Sequence, residues 1–173
     1  FFAGHETTAN TLTWAFYFLS QNPDVRQKLE SELDAALADG HLPTVEDLPN
    51  LPYTLMVIKE TLRIQPTVAM VVRVATQDTT LGGCALKQGT FVLISPYVLH
   101  HDTRRWERPE AFDPTRFDPE RSSKMDKYGY MPFGAGPRIC IGNHFALMEA
   151  QILLALIASR YRLQLASGAT VQP

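Results

Sequence analysis

Cys140 lies in the stretch Phe133-Gly134-Ala135-Gly136-Pro137-Arg138-Ile139-Cys140-Ile141-Gly142, directly ahead of an apolar run that reads as a helix. Gly134 and Gly136 permit turns that a side chain would forbid, so backbone N–H groups can face the sulfur and share a thiolate's charge. The positive end of the following helix dipole favours the ionised thiol too. A thiolate of this kind is what iron needs as a ligand. Arg138 adds a planar fork of donors suited to a carboxylate, and Phe133 adds a flat apolar surface. The ordinary alternative for a lone cysteine is a buried side chain with no chemistry, and that is the reading for Cys84.

A second chemical cluster stands near the N-terminus, in Ala3-Gly4-His5-Glu6-Thr7-Thr8. Glycine and a threonine hydroxyl inside a helix loosen the local backbone hydrogen bonding and can open a groove. An acid beside an alcohol can move protons. Alone, such a triplet also reads as a cap or a solvated face. His5, His100, His101 and His144 receive no assignment. A third pair, Glu60 and Arg63, is spaced by three and so shares one helical face. At a surface that pair is worth only about 0.2–1 kcal/mol.

These patterns together resemble the cytochrome P-450 family. The Cys140 stretch is similar to the family's haem loop, F-x-x-G-x-R-x-C-x-G, and residues 3–8 to its oxygen-activating A/G-G-x-D/E-T-T segment. Glu60 and Arg63 resemble its E-x-x-R, and Phe112-Asp113-Pro114-Thr115-Arg116-Phe117 its P-x-R-F. The four occur in the family's order and spacing, so the resemblance covers essentially the whole chain. It implies haem b (iron protoporphyrin) ligated by Cys140, with Gly134, Gly136 and Gly142 shaping the loop and Phe133 packing on the sulfur side. Arg138 and Arg73 would meet the propionates. Ala3 and Gly4 would border the dioxygen groove, while Glu6 and Thr7 deliver protons. Glu60 would bridge Arg63 and Arg116, a structural cluster pinning the irregular segment beside the loop. Losing one member there would cost on the order of 3–5 kcal/mol.

The activity implied is that of a haem-thiolate monooxygenase oxidising C–H bonds of an apolar small molecule. The aliphatic residues 68–72 would face the substrate. Two electrons would come ultimately from NAD(P)H through a ferredoxin or flavoprotein reductase. Arg121, Lys124 and Lys127 form a basic patch that could dock it, a solvated charge cluster being the alternative. Two other readings stand beside the first: a peroxide-using or isomerising haem-thiolate enzyme, and a haem-binding partial chain without turnover of its own. The intact Glu6-Thr7 pair supports the monooxygenase, although the isolated 173 residues are expected to be inactive.

The positioning elements follow from pattern. Helices are predicted from the start to about residue 20, from Asn22-Pro23 to near Gly40, and from Pro52 or Tyr53 to Ile64 ahead of Pro66. Residues 68–76, 79–86 and 90–94 are β-branched and broken by Gly82-Gly83 and Gln88-Gly89, which predicts a small sheet. Residues 95–131 read as a long irregular segment with one short helix at 97–101. The last helix, residues 143–160, is apolar on most faces and is expected to be buried. The fold class is therefore mainly α with a small β-sheet, matching the C-terminal part of the P-450 fold.

Composition agrees with one globular core: 45% hydrophobic, 20% charged, formal net charge -2. That charge gives no general pull toward nucleic acid or acidic lipid. Two separated cysteines suggest neither a zinc site nor a disulfide framework, and so a reducing compartment. The longest apolar run falls well short of the ~20 residues of a membrane span. Phe1-Phe2-Ala3 enters helical sequence without a cap, so residues 1–173 read as a partial domain whose N-terminal part lies upstream. An anchor would be upstream as well, so localisation and membrane attachment stay open, cytoplasmic being the expectation for a bacterial source.

Overall fold

Asn22-Pro23 divides the first forty residues into two helices, because proline suits a first helical turn and no later one. The computed structural model describes residues 2–171, and in it these are α1 (Phe2–Gln21) and α2 (Pro23–Ala36). Phe1, where the sequence was expected to enter a helix without a cap, lies outside the described residues. The Asn22 side chain closes α1 by donating from Nδ2 to the Phe18 carbonyl at 2.8 Å. Val25, Leu29 and Leu33, four residues apart, all point into the core.

A 3-10 turn (Val45–Asn50), which no apolar periodicity marks, leads to α3 (Pro52–Ile64). The free N–H groups at the start of α3 are satisfied from α2. Glu32 accepts from the backbone of Tyr53 at 2.6 Å and Thr54 at 2.8 Å, and from the Thr54 hydroxyl at 2.7 Å. Helices α1 and α3 pack on each other and on α6 (Asn143–Ala158). Leu12, Ala15, Leu19, Val57, Ile58, Leu62, Leu154 and Ala155 fill the space between them. Each fully buried Leu, Ile or Val side chain there contributes about 1.5–3 kcal/mol.

The expected small antiparallel β-structure is present, divided into two ladders. β1 (Val71–Val74) pairs antiparallel with β4 (Phe91–Ile94), while β2 (Thr79–Leu81) and β3 (Cys84–Leu86) form a separate hairpin between them. Leu81 opposes Cys84 across Gly82-Gly83, both at positive φ (57° and 82°), as a two-residue turn demands. The first strand is also shorter than predicted. The Ala69 carbonyl is taken by the Ser95 hydroxyl at 2.9 Å and the Tyr97 N–H at 3.5 Å, so residues 68–70 stay outside the ladder.

In residues 95–131 the predicted short helix is α4 (Pro96–His100), and a 3-10 turn (Pro114–Phe117) and α5 (Pro119–Ser122) follow. His100, Trp106, Phe117 and Tyr130 gather there into one aromatic cluster. α6 is less buried than its composition implied. Only Ala150, Gln151, Leu154 and Ala155 are fully enclosed, and Phe145 is 61% exposed, because the first turns of this helix line a cavity instead of the core. No helix among the described residues is long and apolar enough to cross a membrane.

Candidate functional site

A cavity of about 500 Å³ lies where α1, α3, β1, the Cys140 loop and α6 converge. Ala3, Gly4, Thr7, Thr8 and Thr11 of α1 line it, together with Ile58 and Leu62 of α3. Thr67 and Val68 contribute from the segment entering β1, and Val71 and Arg73 from β1 itself. Phe133, Gly134, Arg138, Cys140 and Gly142 contribute from the loop, and Phe145 and Leu147 from α6. The two distant clusters noted in the sequence thus share one wall-to-wall space. Its size falls within the roughly 300–1,000 Å³ of small-molecule and cofactor pockets.

The loop is built by its glycines and its own backbone. Gly134 (φ 75°) and Gly136 (φ 73°) occupy left-handed conformations that L side chains resist. Gly134 donates its N–H to the Met131 carbonyl at 3.1 Å, and Cys140 donates to the Phe133 carbonyl at 3.0 Å. Gly136–Arg138 form a 3-10 turn, and Gly142 caps α6. A Cβ on Gly142 would stand 3.9 Å from the Cys140 sulfur. Cys140 is solvent-accessible. Gly136 shapes the turn without lining the cavity. Cys84, expected to be buried, is exposed, since a short two-stranded hairpin has no interior to place it in.

On α1, each threonine bonds back one turn: Thr7 to the Ala3 carbonyl at 2.6 Å, Thr8 to Gly4 at 3.2 Å, Thr11 to Thr7 at 2.9 Å. Thr8 also donates to Glu149 at 3.0 Å, and Thr11 lies 3.0 Å from the Thr67 hydroxyl, tying α1 to the opposite elements. Glu6 is exposed and is not among the lining residues, although its neighbour Thr7 is. Arg73 is exposed and donates to the Val72 carbonyl at 2.9 Å while lining the cavity.

Beneath the loop, Glu60, Arg63 and Arg116 come together in the interior. Arg63 grips Glu60 with Nε at 2.7 Å and an Nη at 2.8 Å, and Arg116 reaches it with Nε at 3.2 Å. The Asp113 N–H adds a further bond to Glu60 at 2.9 Å. Burial pushes the Glu60 carboxyl up, against the opposing pull of the two guanidiniums. Arg63 also donates to the carbonyls of His100 at 3.0 Å and Ala111 at 3.2 Å and stacks on Trp106, 5.1 Å from its centroid. The cluster therefore spans α3 and both halves of the irregular segment.

Sequence reasoning did not assign His100, which is fully buried. The Met131 N–H donates to its Nε2 at 2.9 Å, and its Nδ1 lies 3.2 Å from the Arg63 carbonyl. No spacing rule marks a histidine whose partners lie 37 and 31 residues away. The proposed basic patch is divided. Arg121 and Lys124 border a separate cleft with Arg104, Arg105 and Arg116, while Lys127 lies over the Tyr128 ring. Arg121 is engaged by Asp113 at 3.3 Å and Thr115 at 2.7 Å.

Comparison with known proteins places this geometry. The family model for cytochrome P450 matches residues 1–173. The chain is 45% identical over 161 residues to the Cytochrome P450 4V2 of Mus musculus, covering 92% of this chain and 31% of that protein. It is 44% identical over 171 residues to the Cyclooctatin synthase of Streptomyces melanosporofaciens, covering 99% of this chain and 37% of that protein. With the Cytochrome P450 3A2 of Rattus norvegicus it shares 42% identity over 163 residues, 94% of this chain and 32% of the relative. The chain thus spans about a third of the length of the curated relatives it matches. With a family match over its full length and a mainly helical fold that agrees, the chain belongs to the cytochrome P450 family.

Proposed function

We propose that the protein carrying this chain is a haem-thiolate monooxygenase acting on C–H bonds of an apolar small molecule. The observation that carries the reading is the single cavity lined by Cys140, Arg73 and Arg138 together with Thr7. This donor set fits haem: an accessible thiol, two guanidiniums for carboxylates, and mostly apolar walls. A Cβ built at Gly4 or Gly134 meets nothing within 4 Å, so the walls stand open at those points.

Cys140 would supply the axial thiolate, Arg138 and Arg73 would hold the propionates, and Phe133 would pack beside the sulfur. Haem, when bound, supplies the activation of dioxygen with two electrons delivered from NAD(P)H through a ferredoxin or flavoprotein reductase. Glu6, exposed on α1, would take protons from solvent and pass them to the Thr7 hydroxyl at the cavity wall. Ala3 and Gly4, with no bulky side chain, keep that wall open beside Thr7. Val68 and Val71 at the cavity favour an apolar substrate. The intact Glu6-Thr7 pair favours this reading over a peroxide-using or isomerising enzyme.

The test is the carbon monoxide difference spectrum of the reduced, haem-loaded full-length protein beside its Cys140→Ser variant. A Soret band displaced far to the red in the parent and absent in the variant is the expected result. A histidine-type spectrum in the parent, or a variant that keeps the red-shifted band, would overturn the assignment.

A further inference from the structure

His100 and Met131 join two segments that otherwise share no regular structure. The imidazole faces a donor on one side and an acceptor on the other. The Met131 N–H points at Nε2 from 2.9 Å, so Nε2 must carry the lone pair. Nδ1 then carries the proton and donates it to the Arg63 carbonyl at 3.2 Å. Arg63 returns a bond from Nη1 to the His100 carbonyl at 3.0 Å, so the two residues hold each other twice. The ring is stacked against Tyr130, centroids 5.3 Å apart with the planes inclined by 29°, and the Tyr130 hydroxyl is itself fixed on the Lys59 carbonyl at 3.0 Å.

Met131 opens the cysteine loop. Its carbonyl accepts from Gly134 at 3.1 Å, and two residues on, the Phe133 carbonyl accepts from Cys140 at 3.0 Å. A continuous run of bonds therefore leads from the ion cluster of α3, through one imidazole, into the backbone that presents the sulfur. We propose that His100 is a positioning residue for the Cys140 loop, acting through the bond from Met131 to Nε2. This rests on the reading of Cys140 as the haem thiolate ligand. Without an acceptor at that point the part-buried Met131 N–H is left unpaired, and the loop relieves it by moving away from α3.

Two near-isosteric substitutions separate this role from mere space-filling. His100→Gln and His100→Met both lose the proton donated to Arg63 and have similar volume, but only glutamine can place an acceptor oxygen where Nε2 stood. In the haem-loaded full-length protein, the carbon monoxide difference spectrum reports the fraction with intact thiolate ligation, and the retained haem content gives a second readout. The expected result is a parent-like red-shifted band in the Gln variant. In the Met variant the fraction lacking that band rises about tenfold, as the loss of one net hydrogen bond would produce. A Met variant as good as the parent, or a Gln variant failing as badly as Met in band or haem content, overturns the proposal. A parent protein without the red-shifted band instead overturns the assignment of Cys140, so the two failures are distinct.

Discussion

Glu60 and Arg116 lie 56 residues apart in sequence and 3.2 Å apart in the interior, where the carboxylate also holds Arg63 and the Asp113 backbone. Neither arginine has water to fall back on, since Arg63 is fully buried and Arg116 4% exposed. Replacing Glu60 with Gln keeps the shape and removes the charge both guanidiniums face. We expect a loss of about 3–5 kcal/mol, read as a lower denaturant midpoint of the haem-loaded full-length protein with reduced haem content. A midpoint shift smaller than about 1 kcal/mol, the scale of a surface pair, would show that the cluster is solvated.

His100 gives stability a defined pH dependence. Burial pushes its imidazole down to about 4 from an ordinary 6.5, and the Arg63 guanidinium and neighbouring His101 push the same way. The Arg63 carbonyl opposes them, and Glu60 lies beyond Arg63. Because the folded value is the lower one, the neutral ring's contribution is complete above pH 6.5 and is lost as the pH falls toward 4. The loss across that window is about 3 kcal/mol. Unfolding free energies measured from pH 7 to 4 should fall more steeply in the parent than in His100→Gln. Parallel curves would remove His100 as the cause.

Gly134 and Gly4 both leave open space for a Cβ, yet they should respond oppositely to alanine. Gly134 sits at φ 75°, so Gly134→Ala is expected to cost about 1–2 kcal/mol and weaken haem retention. Gly4 is inside α1, where alanine is favoured by about 0.5–1 kcal/mol, so Gly4→Ala should raise the thermal midpoint of the fold. Equal effects at the two sites would contradict the conformational argument.

Thr7 lines the cavity with its hydroxyl bonded back to Ala3 at 2.6 Å. Thr7→Val keeps the shape and removes the hydroxyl. Product formed per unit time should fall roughly 100-fold, the lower end for a lost acid–base group, while the carbon monoxide spectrum is unchanged. Unaltered turnover would remove Thr7 from the proton route.

The sequence by itself determined what depends on near neighbours. Pro23, Pro52 and Pro66 bounded α2 and α3 because proline's missing N–H and fixed φ act within one turn. Glu60 and Arg63 were legible as one face because a helix repeats every 3.6 residues. Gly82-Gly83 marked its turn, and Gly134 and Gly136 marked theirs, because backbone sterics are local. The motif order was enough to indicate the family, as the match over residues 1–173 bears out.

Tertiary structure decided whatever rests on contacts without periodicity. Arg116 joins Glu60 only through the irregular path of residues 95–131, whose course no spacing rule gives. The start of β1 was set by Ser95 and Tyr97, which take the Ala69 carbonyl and leave residues 68–70 outside the ladder. α6 was apolar enough to be read as core, but its first turns face a cavity, and hydrophobicity does not distinguish a core from a pocket wall. His100 became visible only once Arg63 and Met131 stood on either side of it, since an imidazole's role is set by the partners of its two nitrogens.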